Sequence, residues 1–234
     1  HQGNATFGDT TVTNAGTDGI LIDNNVAGSN LVFNSASISD SSAHGLAVSN
    51  NSGALAINDT LSITNSAQQG LLIDSNNATA TFEVNGVTTI NNSGSNANQA
   101  SVAIQNNDSS VTFADVTLLN RNGEGIDIDN STGNNTFNNI LIDTPAAGAL
   151  DAINVADSNG TTTINSVTIN DSGANGIVLD NLGDTSTDFF TVNGSTTIND
   201  SQESGIIVTG STGNANFSGP TTISTTAGDA INIT

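Results

Sequence analysis

The phrase Gly19-Ile20-Leu21-Ile22-Asp23-Asn24-Asn25, GILIDNN, returns as GLLIDSN from Gly70, GIDIDNS from Gly125 and GIVLDNL from Gly176. Looser versions stand between: GLAVSNN from Gly45, SVAIQNN from Ser101, AINVADS from Ala152 and GIIVTGS from Gly205. Aligned on this phrase, the anchors are Gly19, Gly45, Gly70, Ser101, Gly125, Ala152, Gly176, Gly205 and Ala230. The steps between them are 26, 25, 31, 24, 27, 24, 29 and 25 residues. A period in the range of roughly 20–50 residues marks a stack of repeated units rather than a conventional globule.

Within each unit, apolar residues alternate with outward ones, as in Ile20 and Ile22 or Leu71 and Ile73, which is strand periodicity. A second core position follows: Phe33, Ile57, Phe82, Phe113, Phe137, Ile164, Phe190 and Phe217, with Phe7 in the same phase before the first anchor. A third follows that: Val12, Ile38, Ile63, Ile90, Leu118, Ile142, Ile169, Ile198 and Ile223. Each unit therefore reads as three short strands, and the chain as an all-β solenoid of about nine rungs. Asn and Asp recur two residues past two of these positions, as at Asn14, Asp40 and Asn65 and at Asn24, Asn50 and Asn106. They tolerate left-handed bends and can bond from rung to rung, so Asn ladders are expected there.

Composition narrows the functions. Twenty-two acids face one arginine and no lysine, for a formal net charge of −21. Nucleic acids and anionic membranes need basic partners, so both are excluded as ligands. Cysteine is absent, which removes disulfides and thiolate metal sites. No apolar run is long enough to span a bilayer as a helix. The chain opens on His1 without methionine, which reads as a processed or excised piece. No linker interrupts residues 1–234, so they read as one domain: a module of a longer array or one subunit of a filament.

The G-I-x-I strands, the Phe and Ile core columns and the Asn bends resemble the right-handed parallel β-helix, the pectate-lyase-like superfold shared with bacterial adhesins and autotransporter passengers. The resemblance covers the whole chain and implies architecture. It is specific for architecture, not activity; the expected role is non-catalytic, as an extracellular or cell-surface stalk, adhesin rod or head-to-tail matrix filament. The alternative is a polysaccharide-binding or polysaccharide-cleaving β-helix. Pectate lyases place a basic residue beside calcium-binding aspartates. The only arginine, Arg121 in NRNGEG, reads instead as an exposed turn residue. His44 in SAHGL reads as a turn histidine, and His1 is too remote in sequence to join it at a metal. Asp127 and Asp129 read as a solvated acidic face. A further reading is an ice-binding solenoid, from outward pairs such as Thr11/Thr13, Ser37/Ser39 and Thr222/Ser224, an array broken by Leu119, Leu141 and Asp143.

Two sets of residues carry the functional expectations. In the outward position after the first strand, Asp23, Asp74, Asp129 and Asp180 alternate with neutral residues. They are candidate ligands for calcium, an optional rather than required cofactor. At the ends, Phe7, Val12, Phe217, Ile223, Ile231 and Ile233 are candidate assembly residues. Ala230 would lie 23 residues before the Gly19 of a following copy, close to the internal step, so head-to-tail self-association is the expected partnership. N-x-S/T sequons, as at Asn4 and Asn58, leave glycans open as partners.

Overall fold

The structure is a computed structural model that describes residues 2–94, 99–143, 145, 149–183 and 188–234. His1, Thr144 and the additions in the three longest steps (95–98, 146–148 and 184–187) lie outside the described residues.

The glycine of the opening phrase is explained by what surrounds it. A Cβ at Gly19 would sit 2.2 Å from Ile38 Cγ2 and 2.6 Å from the carbonyl oxygen of Gly45. At Gly45 the same contacts recur one turn on, with Ile63 Cγ2 at 2.4 Å and the Gly70 oxygen at 2.6 Å. Here the chain turns inward against the third core column, and only a very small residue fits. The phrase then runs out as a short strand, Ile20–Asp23 in the first turn. Its equivalents pair in parallel to form a nine-stranded sheet that ends at Ile231–Ile233.

The second sheet corrects the expected three strands per rung. The second and third core positions lie on one long strand, as in Asn4–Thr13, Asn30–Ser39 and Ser110–Leu119. In some turns this strand is split in two, as in Ala54–Ile57 and Leu61–Ser66, but both pieces stay in the same sheet. The bend between the two positions is too slight to start a new face. The fold is thus a parallel β-solenoid with two sheets, and its nine short strands bound about eight turns rather than nine.

The third core column is in register from end to end, Val12↔Ile38↔Ile63↔Ile90↔Leu118 and onward to Ile223. The second column differs at two places. Phe113 is level with Val84, and Phe217 with Val192, whereas Phe82 pairs with Val111 and Phe190 with Thr162. Phe82 and Phe190 therefore occupy the inward position two residues earlier. In-column rings stack nearly parallel, Phe7–Phe33 at 4.7 Å and Phe113–Phe137 at 5.3 Å. The displaced rings meet their neighbours tilted, at 5.6 Å for Phe82–Phe113 and 5.7 Å for Phe190–Phe217. Both arrangements are favourable for aromatic pairs.

The expected bend columns do bond from rung to rung: Asn65 Nδ2 donates to Asp40 Oδ1 at 2.9 Å, Asn92 Nδ2 to Asn65 Oδ1 at 2.7 Å and Asn130 Nδ2 to Asn106 Oδ1 at 2.7 Å; a second, buried ladder lies one residue further on. Asn14, Asn24, Asp40, Asn50, Asn65, Asn92, Asn106 and others in the two bend columns do take left-handed geometry, with φ near 50°. The buried ladder is formed by the next residue after the short strand: Asn25, Asn51, Asn76 and Asn107. The left-handed bend turns its own side chain outward and sends the following one into the core. There the Asn25 N–H donates to Asn51 Oδ1 at 2.7 Å, and the Asn51 N–H to Asn76 Oδ1 at 2.9 Å. Asn76 Nδ2 donates to Asn107 Oδ1 at 3.2 Å and to the Val48 carbonyl at 3.1 Å. Each amide thus satisfies main-chain groups that the bend leaves without a strand partner.

Candidate functional site

The corner that follows the long strand has its own inward column. Most of its turns place a buried serine there: Ser41, Ser66, Ser93, Ser172 and Ser201. Arg121 takes this position in one turn and is fully buried, which overturns its reading as an exposed turn arginine. The next turn has Pro145 at the equivalent place and belongs to a 27-residue step. The Arg121 side chain spans that turn. Its Nη1 donates to the carbonyls of Gly123 at 2.7 Å, Leu150 at 3.1 Å and Asp151 at 3.4 Å, and Nη2 reaches the carbonyl of Asp171 at 3.5 Å. Its Nε finds no hydrogen-bond partner among the described residues. Burial lowers its pKa to about 10, against the opposing pull of Asp151, Asp171 and Glu124, so it stays charged at neutral pH.

Around this guanidinium sits an acidic patch. Glu124 precedes the short strand Ile126–Asp129 and is half-buried; Asp127 and Asp129 point outward from that strand. Asp151 holds the place of Glu124 one turn on, where its carbonyl accepts the N–H of Gly125 at 3.1 Å. Burial first, then Asp127 and Asp151, push the Glu124 carboxyl up to about 7 despite Arg121. Asp127 is also raised by burial, although Asn154 at 3.0 Å and Gln105 at 3.5 Å donate to it. Burial and Asp157 raise Asp129. Asp151 Oδ1 accepts from the N–H and the Nδ2 of Asn175, both at 2.9 Å. The patch thus sets Glu124, whose pKa is raised to about 7, among three further carboxyl groups, those of Asp127, Asp129 and Asp151.

The calcium candidates fall in one column, with Ser49, Gln105 and Ala156 between successive aspartates. Two strand spacings separate them, about 9.6 Å, so the structure does not bring them together. Asp23 accepts from Asn24 at 2.6 Å and Asn50 at 3.0 Å. Chiefly the Asn50 bond holds its pKa below the usual carboxylate range. Asp74 accepts from Asn106 at 3.2 Å. Among the described residues, no group of three His, Asp or Glu side chains is placed to hold a metal. His44 is a turn residue, with Nδ1 at 2.7 Å from Asp18 Oδ1.

The assembly candidates lie at the two ends. One end opens a hollow of about 480 Å³ lined by Ala5, Phe7, Ile20, Ile22, Leu31 and Phe33. The other opens about 360 Å³ lined by Ile206, Val208, Phe217, Ile231 and Ile233. Phe7 is 44% exposed, Ile231 54% and Ile233 73%, while Val12, Phe217 and Ile223 are partly covered. Leu21, 58% exposed, joins the first end and was missed because it reads as an outward strand residue. Along the side of the long sheet, Thr112, Thr136, Asn138 and Asn165, with Phe113 and Phe137 beneath, line a shallow groove.

No family model, no curated protein and no solved structure matches this chain.

Proposed function

We propose that the chain is a non-catalytic structural rod of the right-handed parallel β-helix type. It serves at the cell surface or in an extracellular matrix as a stalk, adhesin shaft or head-to-tail filament. The observation that carries this reading is the state of the two ends. Residues that are core in every internal turn stand open there, and a solenoid end is a set of unpaired strand edges. The edges are complementary. A further turn laid on Ile231–Ile233 would offer the strand that Ile20–Asp23 represents, and Phe217 would meet the next Phe7. The added rung comes either from a second copy or from more of a longer chain. With no lysine and a net charge of −21, lateral contacts between rods are repulsive, so growth along the axis is favoured.

Electron microscopy of the isolated chain at rising concentration tests this. Unbranched fibres one solenoid wide are the expected result, and Ile233→Asp should abolish them. Short monodisperse particles at every concentration, with both ends free, would overturn head-to-tail assembly.

A further inference from the structure

We propose that the Arg121 corner is a proton-gated clamp: the Glu124 carboxyl holds a proton in the closed form, and its loss loosens residues 121–126 and 149–153 while distant turns stay closed. The argument begins with the column of residues that precede the short strands. At one end of that column Asp18 meets His44 on the next turn, a complementary pair at 2.7 Å. Farther along, the turn-to-turn neighbour of Glu124 is Asp151, a like charge about one strand spacing, ~4.8 Å, away along the stack. Asp127 and Asp129 add two more carboxylates from the strand that Glu124 leads into.

Arg121 is the only lysine or arginine in the chain, and among the described residues its hydrogen bonds all end on main-chain carbonyls. It therefore braces the backbone of this corner without giving the carboxylates a bonded counter-charge. The turn below contributes Gln99 and Gln105 and no ionisable group, and the additions at 95–98 and 146–148 contain none. From above, Asn154 and Asn175 donate to Asp127 and Asp151, and Glu203 shares Asn175 at 3.3 Å. Asp171 faces Arg121 through its carbonyl. Every ionisable neighbour of Glu124 other than Arg121 is thus an acid, and a proton on Glu124 is the simplest relief of that crowding.

The upward displacement of Glu124 to about 7 from its ordinary 4.5 sets the window. The folded form binds the proton more tightly than the open form does. The clamp is therefore firmest below about pH 4.5 and is lost as pH rises through about 7.

Hydrogen exchange on the intact chain, corrected for the intrinsic rate at each pH, reads the opening directly. Between pH 5 and pH 8 the opening constant of amides in 121–126 and 149–153 should rise by about tenfold or more, while that of Asn51 and Asn76 stays flat. Glu124→Gln, which keeps the neutral shape, should remove most of this rise. Carboxyl carbon resonances of the unmodified chain provide a second reading that needs no variant, with the Glu124 midpoint expected near 7. A flat profile at the corner, a rise that Glu124→Gln retains in full, or a Glu124 midpoint near 4.5 would overturn the proposal.

Discussion

The two inward corners of each turn face the same problem and meet it differently. In most turns both follow a left-handed bend, and both must satisfy main-chain groups that the sheets leave behind. After the short strand, the solution is repetition: Asn25, Asn51, Asn76 and Asn107 pass hydrogen bonds from turn to turn, and Ser131 and Ser158 continue the column, with the Ser131 N–H donating to Ser158 Oγ at 3.2 Å. After the long strand, the column is serine, and the hydroxyls of Ser41, Ser66 and Ser201 have no partner among the described residues. There one long cation does for its turn what the ladder does at most other levels, Leu182 being the break in that column. The contrast separates a load shared over many identical members from a load placed on a single side chain.

Removing that single member is the most damaging way to break the comparison. Arg121→Ala takes away charge-assisted bonds to three or four buried carbonyls and leaves a void, at an expected cost of about 3–5 kcal/mol. Denaturant titration checks the magnitude. Exchange should confine the loss to turns adjoining 121–151, because each turn touches only its neighbours. Phe113→Ala, in the stacked part of the core, should cost a similar ~3–5 kcal/mol and stay equally local.

The ladder should be more forgiving. Asn76→Ala orphans the N–H of Asn51 and the carbonyl of Val48 but leaves the rest of the column paired, for about 2–3 kcal/mol. An Asn76 variant more damaging than Arg121→Ala would reverse the contrast drawn above.

How much of this was legible in the sequence follows from what each position must do. The short strands and the third core column are fixed by strict apolar alternation, and their pairing is as the spacing implies. The bends are legible too, since Asn and Asp mark left-handed geometry. The outer ladder at the bends was legible, as in Asn92 to Asn65, but the buried one a residue further on was missed, because sequence alone does not say which of two adjacent polar residues, Asn24 or Asn25, turns inward. The two-sheet arrangement was hidden for a related reason: a gentle bend inside Asn30–Ser39 and a true corner both appear as a polar interruption. Phe82 and Phe190 were assigned to the wrong inward position because a two-residue offset preserves strand phase. Arg121 could have been found by aligning it with Ser41, Ser66 and Ser172, an inward column in which it is the misfit.

The smallest expected effect concerns the outer aspartates. Asp74→Asn should move stability by no more than about 0.5 kcal/mol, and calcium should shift the melt no more than sodium at equal ionic strength. A calcium-specific shift lost in Asp74→Asn would instead assign that column a metal.

The central claim is that the rod continues turn upon turn through its ends. Fibre diffraction or high-resolution electron microscopy of the assembled material tests it most directly. The account expects a strong meridional spacing of about 4.8 Å, with the ladder crossing each junction so that Ile231 and Ile233 lie level with Ile20 and Ile22 of the next unit. Particles that meet through their sides, or junctions where the 4.8 Å ladder breaks and Phe7 and Ile233 face solvent, would contradict it.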